Sequence, residues 1–301
     1  MELKAVDLFC GSGGLSAGFI NAGIKMLAAY DNWETALETY RRNLVNHAFN
    51  RDLSDIDKST EEIESLCPDI IVGGPPCQDF SSAGKRVEGG SANLTNVFGK
   101  IVAKCKPSFF LMENVPQVRT SHAYQETKEN LIAAGYTISE TVLDASYCGV
   151  PQTRKRFFAF GSTWKDAPIK FLRSLESQIS EKRMTIKEYL GDSINIEFYY
   201  RHPRNYSRRS VFSVYEPSPT IRGVNRPVPP GYKGNHLDRV PPLSVRPLTS
   251  FERSRIQTFP ASWNWNAGDR NASAELQIGN AVPVNLASFV ATGILNVTKT
   301  R

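Results

Sequence analysis

Paired histidines, paired cysteines and apolar runs of membrane length are all missing from this chain of 301 residues. Its four histidines (His47, His122, His202 and His236) are scattered, and none forms an HxxxH pair. Its five cysteines (Cys10, Cys67, Cys77, Cys105 and Cys148) are odd in number and never spaced CxxC. That argues against a disulfide framework or a zinc site and for reduced cytoplasmic thiols; no metal is expected. No charged-then-apolar leader precedes Val6, so a soluble, unexported protein is expected. Internal repeats are absent too.

Basic excess is missing from most of the chain and concentrated in one part. Residues 165–260 hold 17 Lys/Arg against 9 Asp/Glu, a formal +8, while the remainder holds 19 against 21 and the whole chain is +6. A near-neutral body carrying one basic segment fits a polyanion binder; an ordinary solvated surface is the alternative.

The patterning predicts an α/β fold. Residues 5–9, 25–30, 69–72, 109–112, 137–143 and 156–161 read as strands, with a short third strand before Asp52. Residues 15–22, 34–44, 95–105 and 123–134 read as helices, the first and last closed by Gly23 and Gly135. Such alternation argues for a mostly parallel sheet covered on both faces. From about 165 the chain turns irregular and proline-rich, yet keeps Tyr199, Tyr200, Tyr206, Phe212 and Tyr215 among its arginines, so it reads as a loop-rich second domain. Residues 282–297 return to a helical pattern expected to pack on the first domain. The expected division is 1–165 with 262–301, and 166–261 as an insertion.

Two stretches carry chemistry. Gly73-Gly74-Pro75-Pro76-Cys77 ends an apolar strand in a stiff bend and presents Cys77 at a strand's carboxyl end, where open α/β sheets hold ligands. Cys77 is there either a nucleophile or a small buried apolar residue. Gly11-Ser12-Gly13-Gly14, between strand and helix, lets main chain approach a ligand at a helix N-terminus. Asp31 closes the second strand 20 residues later, placed for a ribose hydroxyl pair. GxGG departs from GxGxxG; alone it fits a nicotinamide or flavin nucleotide nearly as well as a nucleoside such as S-adenosylmethionine. Asp52 is placed either for an adenine amine or as a helix N-cap.

Asp7-Leu8-Phe9-Cys10-Gly11-Ser12-Gly13-Gly14, Gly74-Pro75-Pro76-Cys77-Gln78, Glu113-Asn114-Val115, Gln152-Thr153-Arg154-Lys155-Arg156 and Gln277-Ile278-Gly279-Asn280-Ala281-Val282-Pro283 occur in this order. Together they resemble the motif set of the DNA (cytosine-5) methyltransferases of prokaryotic or phage type. The resemblance implies a Rossmann-like methyltransferase domain with a small target-recognition domain, S-adenosylmethionine as donor, and cytosine in double-stranded DNA as substrate. It implies catalysis by Cys77, Glu113, Arg154 and Arg156. The donor would lie against Phe9, Gly11, Ser12, Gly13, Gly14, Leu15, Asp31, Asn32, Asp52, Leu53, Pro75, Asn280 and Val282. DNA would meet Ser81, Lys85, Arg86, Gln152, Arg209, Thr220, Arg222 and Arg226. A monomer in the cytoplasm, paired with a restriction endonuclease or acting alone, is expected.

The chemistry explains those residue types. Carbon 5 of cytosine is a poor nucleophile until a thiolate adds to carbon 6. A carboxyl raised in pKa by burial, Glu113, can donate to N3 of the ring. Arg154 and Arg156 alternate at a strand entrance on one side; alternatively each arginine only pairs with Glu113. The base must leave the duplex stack, and residues 80–93 read as the loop closing over it. Thr220-Ile221 resembles the family's target-domain dipeptide, and Arg246, Leu248, Thr249, Glu252, Arg255 and Gln257 its anchoring element. Arg222 and Arg226 are placed for guanine edges or for phosphates. Asn32 replaces the family's usual apolar residue, leaving Asn32 or Trp33 against adenine, and Asn93-Leu94-Thr95 replaces an arginine, with Asn93 or Thr95 capping the next helix. Rival readings are the family's tRNA-methylating branch, whose Cys-Phe-Thr signature is absent, a nucleotide-dependent oxidoreductase, and a non-catalytic DNA-binding relative.

Overall fold

The computed structural model describes residues 2–44, 47–76, 90–265 and 271–299. Its strands are β1 (Lys4–Leu8), β2 (Lys25–Asp31), β3 (Ala48–Asn50), β4 (Ile70–Gly73), β5 (Phe109–Asn114), β6 (Thr137–Asp144), β7 (Gln152–Thr153), β8 (Lys155–Ser162), β9 (Phe198–Tyr200), β10 (Val211–Ser213) and β11 (Ser218–Pro219). Its helices are α1 (Gly14–Asn21), α2 (Glu34–Asn43), α3 (Ile56–Ser65), α4 (Gly90–Cys105), α5 (His122–Ala133), α6 (Ala167–Glu176), α7 (Ile186–Leu190), α8 (Ser250–Ile256), α9 (Asn271–Asn280) and α10 (Val284–Lys299).

Seven strands form one sheet in the order β3-β2-β1-β4-β5-β8-β6. The first five are parallel, and β8 runs antiparallel to both β5 and β6. Strands buried on both faces need apolar side chains at successive positions, and here those positions divide between two cores. Ala5, Ile70, Val72, Phe109, Leu111, Phe158 and Phe160 join α1, α6 and α10 on one side. Val6, Leu8, Ile71, Phe110, Met112, Phe157 and Ala159 join α4 and α5 on the other.

The small domain has its own core of Ile186, Leu190, Ile194, Tyr199, Phe212, Val214 and Ile221, closed by Leu248, Ile256 and Ile278. The expected boundary at 165/166 falls just before α6 and so assigns that helix to the insertion, whereas its Ala167, Phe171 and Leu175 belong to the sheet's core. α6 escaped the sequence reading because the polar residues around it hide its apolar stripe. α3 entered the sequence reading only as the helix that Asp52 would cap on its alternative reading, and its N-cap is Asp55.

Two further expectations need correction. α4 begins at Gly90, so Asn93 and Thr95 sit inside the helix and neither caps it. The stretch Ser273–Lys299 is apolar enough to pass as a membrane span. It is instead two helices broken before Val284, and α10 turns Leu286, Ala287, Val290, Ala291 and Ile294 into the core.

Close main-chain approaches weld the parts together. A Cβ on Gly14 would stand 2.2 Å from the Val282 carbonyl oxygen, and one on Gly279 would stand 2.1 Å from the Gly223 nitrogen. Main-chain atoms cannot swing aside as a side chain can. Gly279→Ala is therefore expected to lower unfolding stability by roughly 1–3 kcal/mol. Urea denaturation reads this, and an unchanged midpoint would contradict the crossing.

Candidate functional site

Strand register aligns the site. Tyr30, Leu8, Gly73 and Met112 pair across β2, β1, β4 and β5. The next residue of each strand, Asp31, Phe9, Gly74 and Glu113, thus lies along one edge, the carboxyl end where such sheets bind ligands. The expected donor loop, its acid, the proline bend and the candidate acid meet there.

The glycine loop turns sharply. Phe9, Gly11 and Gly13 all have positive φ (60, 51 and 91°). Only glycine takes this conformation without a Cβ penalty, so Phe9 holds it at a cost of about 1–2 kcal/mol. Asp31 ties the loop to β2: Oδ2 accepts from the Gly11 N–H at 2.8 Å and Oδ1 from the Trp33 N–H at 2.8 Å. Burial raises the Asp31 carboxyl above its usual range, against those backbone hydrogen bonds. Ser12 Oγ is buried without a partner among the described residues, a polar atom left for a ligand. Leu15 and Leu53 turn their side chains into the two sheet cores, so only their main chains can meet a ligand.

Beyond β3, Asp52 is exposed and folds back on Ser54, its Oδ1 accepting from the hydroxyl at 2.7 Å. It does not cap α3; Asp55 does. Asp52 and Ser54 line an open cleft of about 430 Å³ with Ile56, Leu94, Asn96, Val97 and Lys100. Leu94 and Val97 were missed because apolar residues early in a helix read simply as core. Asn32 is exposed and Trp33 half-buried, Asn280 is exposed, and Val282 is half-buried with its carbonyl against Gly14.

The proline bend and β5 are strapped together. Asn114 Nδ2 donates to the Pro75 carbonyl at 3.1 Å, and Asn114 Oδ1 accepts from the Val115 N–H at 2.8 Å. Glu113 is buried beside it, and a Cβ on Gly74 would come within 3.1 Å of Glu113 Oε2. Arg156 Nε lies 2.9 Å from Glu113 Oε1. Burial raises the Glu113 carboxyl, opposed by the charges of Arg156 and then Arg154. Cys77, Ser81, Lys85 and Arg86 lie outside the described residues, as does residues 80–89 of the expected closing loop.

The other expected pair separates. Arg154 is 1% exposed, and its guanidinium donates to the carbonyls of Ile221 (3.2 Å), Gly279 (3.1 Å) and Ala281 (3.0 Å). Arg156, not Arg154, is the arginine paired with Glu113. Gln152 is also fully buried: its amide donates to Gln257 Oε1 at 2.7 Å and accepts from the Ile221 N–H at 2.9 Å. Where a DNA contact was expected, the buried amide serves as an internal strap. Gln257 extends the strap to the Ala281 carbonyl at 3.2 Å and to Ile278.

In the small domain, Thr220 Oγ1 donates to the Thr153 carbonyl at 2.8 Å, and Arg209 pairs with Glu216 at 2.6 Å over the Phe212 ring. Arg222 donates to the His202 carbonyl, while Arg226 is exposed. Arg253 holds the Val224 and Arg222 carbonyls and pairs with Glu275 at 2.8 Å, both ions being buried. That pair spans 22 positions, and no local pattern announces it. Thr249 and Glu252 form a capping box on α8, and Glu252 pairs with Arg246 at 2.7 Å.

The chain matches the sequence model of the C-5 cytosine-specific DNA methylases over residues 3–296. It is 51% identical over 300 residues to the Type II methyltransferase M.HindV of Haemophilus influenzae, covering 99% of this chain and 98% of that one. Against the Type II methyltransferase M.HgiDI of Herpetosiphon aurantiacus, identity is 47% over 97% of this chain and 94% of that one. Among solved structures, the S. pombe Dnmt2 methyltransferase superposes with a TM-score of 0.71 at 18% identity, covering 99% of this chain and all of that one. A putative DNA modification methyltransferase encoded in an E. coli prophage gives 0.68 at 22%, covering 99% of this chain and all of that one. At those identities the structural likeness bears on the fold alone.

One buried acid beneath the glycine loop went unassigned in the sequence, although a charge inside an apolar strand was its signal. Asp7 is fully buried, accepts from Ser16 Oγ at 2.5 Å, and is pushed up to about 7, chiefly by burial. The unfolded carboxyl titrates near ~3.9. Between roughly pH 4 and 7 the folded state therefore binds the extra proton, and stability falls as pH rises through that window. Asp7→Asn is expected to flatten this slope, by on the order of 1–4 kcal/mol across the window. Urea midpoints measured from pH 4 to 8 check it; an unaltered slope contradicts it.

Proposed function

The chain belongs to the C-5 cytosine-specific DNA methylase family, and from that premise we propose how its residues divide the work. It is a DNA (cytosine-5) methyltransferase, and its methyl donor is S-adenosylmethionine. Bound, that donor supplies an electrophilic methyl group on a sulfonium. Asp31 holds the ribose hydroxyls, the Gly11–Gly14 main chain and Ser12 Oγ meet the donor's polar end, and the cleft beside Asp52 and Leu94 takes the adenine. The orphaned Ser12 hydroxyl and the turned loop support that fit.

Cys77 is the nucleophile in this reading. Its thiolate adds to carbon 6 of an extruded cytosine, and the electron pair displaced from the 5,6 double bond moves toward carbon 5 and N3. Glu113 donates a proton or hydrogen bond to N3, and carbon 5 becomes nucleophilic enough to take the methyl group, the S–CH3 bonding pair staying on sulfur as a neutral thioether. A base, water or phosphate, then removes the carbon-5 proton, the returning electron pair expels Cys77 as thiolate, and N3 gives its proton back to Glu113. The observation that most supports this is the Glu113 carboxyl, buried, raised and set against the bend that leads to Cys77. Arg156 orients Glu113. Arg154 acts one step back, by holding the target segment and the Gly279–Ala281 turn in register.

The sheet domain, α6 included, is the catalytic unit. The basic insertion after it reads the target sequence, with Arg226 exposed for bases or phosphates. The relatives named Type II methyltransferases support a partnership with a restriction endonuclease of the same specificity. In this reading the enzyme acts as a monomer in the cytoplasm.

Bisulfite sequencing of DNA from cells expressing the protein tests activity, base and context together. Cys77→Ser is expected to erase methylation while S-adenosylmethionine still binds, and Glu113→Gln to slow turnover about 10²–10⁴-fold. Retained turnover in Cys77→Ser removes that residue from the mechanism.

A further inference from the structure

The loop 201–210 between β9 and β10 carries a histidine that no step above uses. His202 Nδ1 stands 3.0 Å from the Tyr200 hydroxyl. Its ring meets Tyr206 edge-on at 6.2 Å, and Tyr232 closes the group against Tyr206 at 5.3 Å and Tyr200 at 6.2 Å. Asp238 fixes the frame. It accepts from the N–H groups of Ser210, Val211 and Asn235 at 2.6, 2.9 and 2.8 Å, and Asn235 Nδ2 donates to the Tyr206 carbonyl at 3.2 Å. Three of these four rings are held mostly inside the protein, whereas Tyr206 is 58% exposed.

The frame stands beside the segment expected to face DNA. The His202 carbonyl accepts from Arg222, the Arg201 guanidinium holds the Thr220 carbonyl at 2.9 Å, and His202, Arg222 and Arg226 line one cleft. Burial and the charges of Arg226 and Arg222 all lower the imidazole's pKa, which favours its neutral form. A ring needed only for packing gains nothing from two arginines beside it. A neutral imidazole, by contrast, has one N–H and one lone pair. With Nδ1 engaged by Tyr200, Nε2 has no partner among the described residues, and it is not sealed from solvent.

We propose that His202 reads a base edge of the target sequence through Nε2, with Tyr200 setting its tautomer. When the Tyr200 hydroxyl donates to Nδ1, Nε2 carries the proton and suits the N7 or O6 acceptors of a purine. When Nδ1 donates to Tyr200, Nε2 accepts and suits the amine of adenine or cytosine. The neighbouring arginines then hold phosphates or a flanking guanine. This rests on the reading of the basic insertion as the target-recognising unit.

The test is methylation of a duplex library randomised around the target, read by bisulfite sequencing, for the wild type, His202→Ala and Tyr200→Phe. His202→Ala is expected to relax preference at one base position by about tenfold while the others hold. Tyr200→Phe, which keeps the ring and removes the hydroxyl, should weaken preference at that same position. A uniform loss of rate with an unchanged preferred sequence makes His202 a scaffold residue and overturns the proposal. So does relaxation in the two variants at different positions. A wild-type enzyme without sequence preference overturns the reading of the insertion itself, and this proposal with it.

Discussion

One buried guanidinium ties the molecule together. Arg154 sits between sheet, insertion and C-terminal segment, and its two terminal nitrogens donate to carbonyls from Ile221, Gly279 and Ala281, while its buried Nε has no partner among the described residues. A cation this deep is tolerable only if dipoles and an opposing charge replace its water, and three carbonyls and nearby Glu113 do so. Gln152 and Gln257 continue the bracing with buried amides. Because Ala281 directly precedes Val282, whose carbonyl touches Gly14, the braced segment is also the wall of the donor loop. The arrangement joins insertion, glycine loop and sheet edge through buried side chains gripping main-chain carbonyls, and through the close main-chain approach at Gly14.

The sheet supplies the second constraint. Parallel register fixes Asp31, Phe9, Gly74 and Glu113 side by side, so no loop has to find them. Asn114 then pins the Pro75 carbonyl, and the bend leaves the sheet in a fixed direction. Glu113 gains its raised carboxyl from the same burial that strand β5 needs for packing. Chemistry and core share one set of residues here.

Much of this was legible in the sequence. The strand–helix alternation, the edge-forming ends at Asp31, Gly73 and Glu113, and the return of the last helix to the sheet follow from local pattern, since buried strands must be apolar. The motif residues Glu113, Asp31 and the glycine loop fell where expected. Arg154 and Gln152 did not, because a buried polar side chain and a DNA-facing one look alike until their partners are known. Their partners lie 67 to 127 positions away in the chain. The Arg253–Glu275 pair and the His202 frame were hidden for the same reason, and α6 because its stripe is short. Asp7 could have been read, as a carboxylate between Val6 and Leu8 has few harmless explanations.

The central claim is that the carboxyl edge of this sheet serves a covalent reaction at Cys77. Duplex DNA with 5-fluorocytosine at the target position tests it most directly, because fluorine cannot leave carbon 5 as the proton does, so elimination of the thiol is blocked after methyl transfer. The account predicts a denaturation-resistant protein–DNA adduct, formed only with S-adenosylmethionine present and mapped by peptide mass to Cys77. An adduct at Cys10, Cys67, Cys105 or Cys148, or none in an enzyme that still methylates ordinary cytosine, would contradict it.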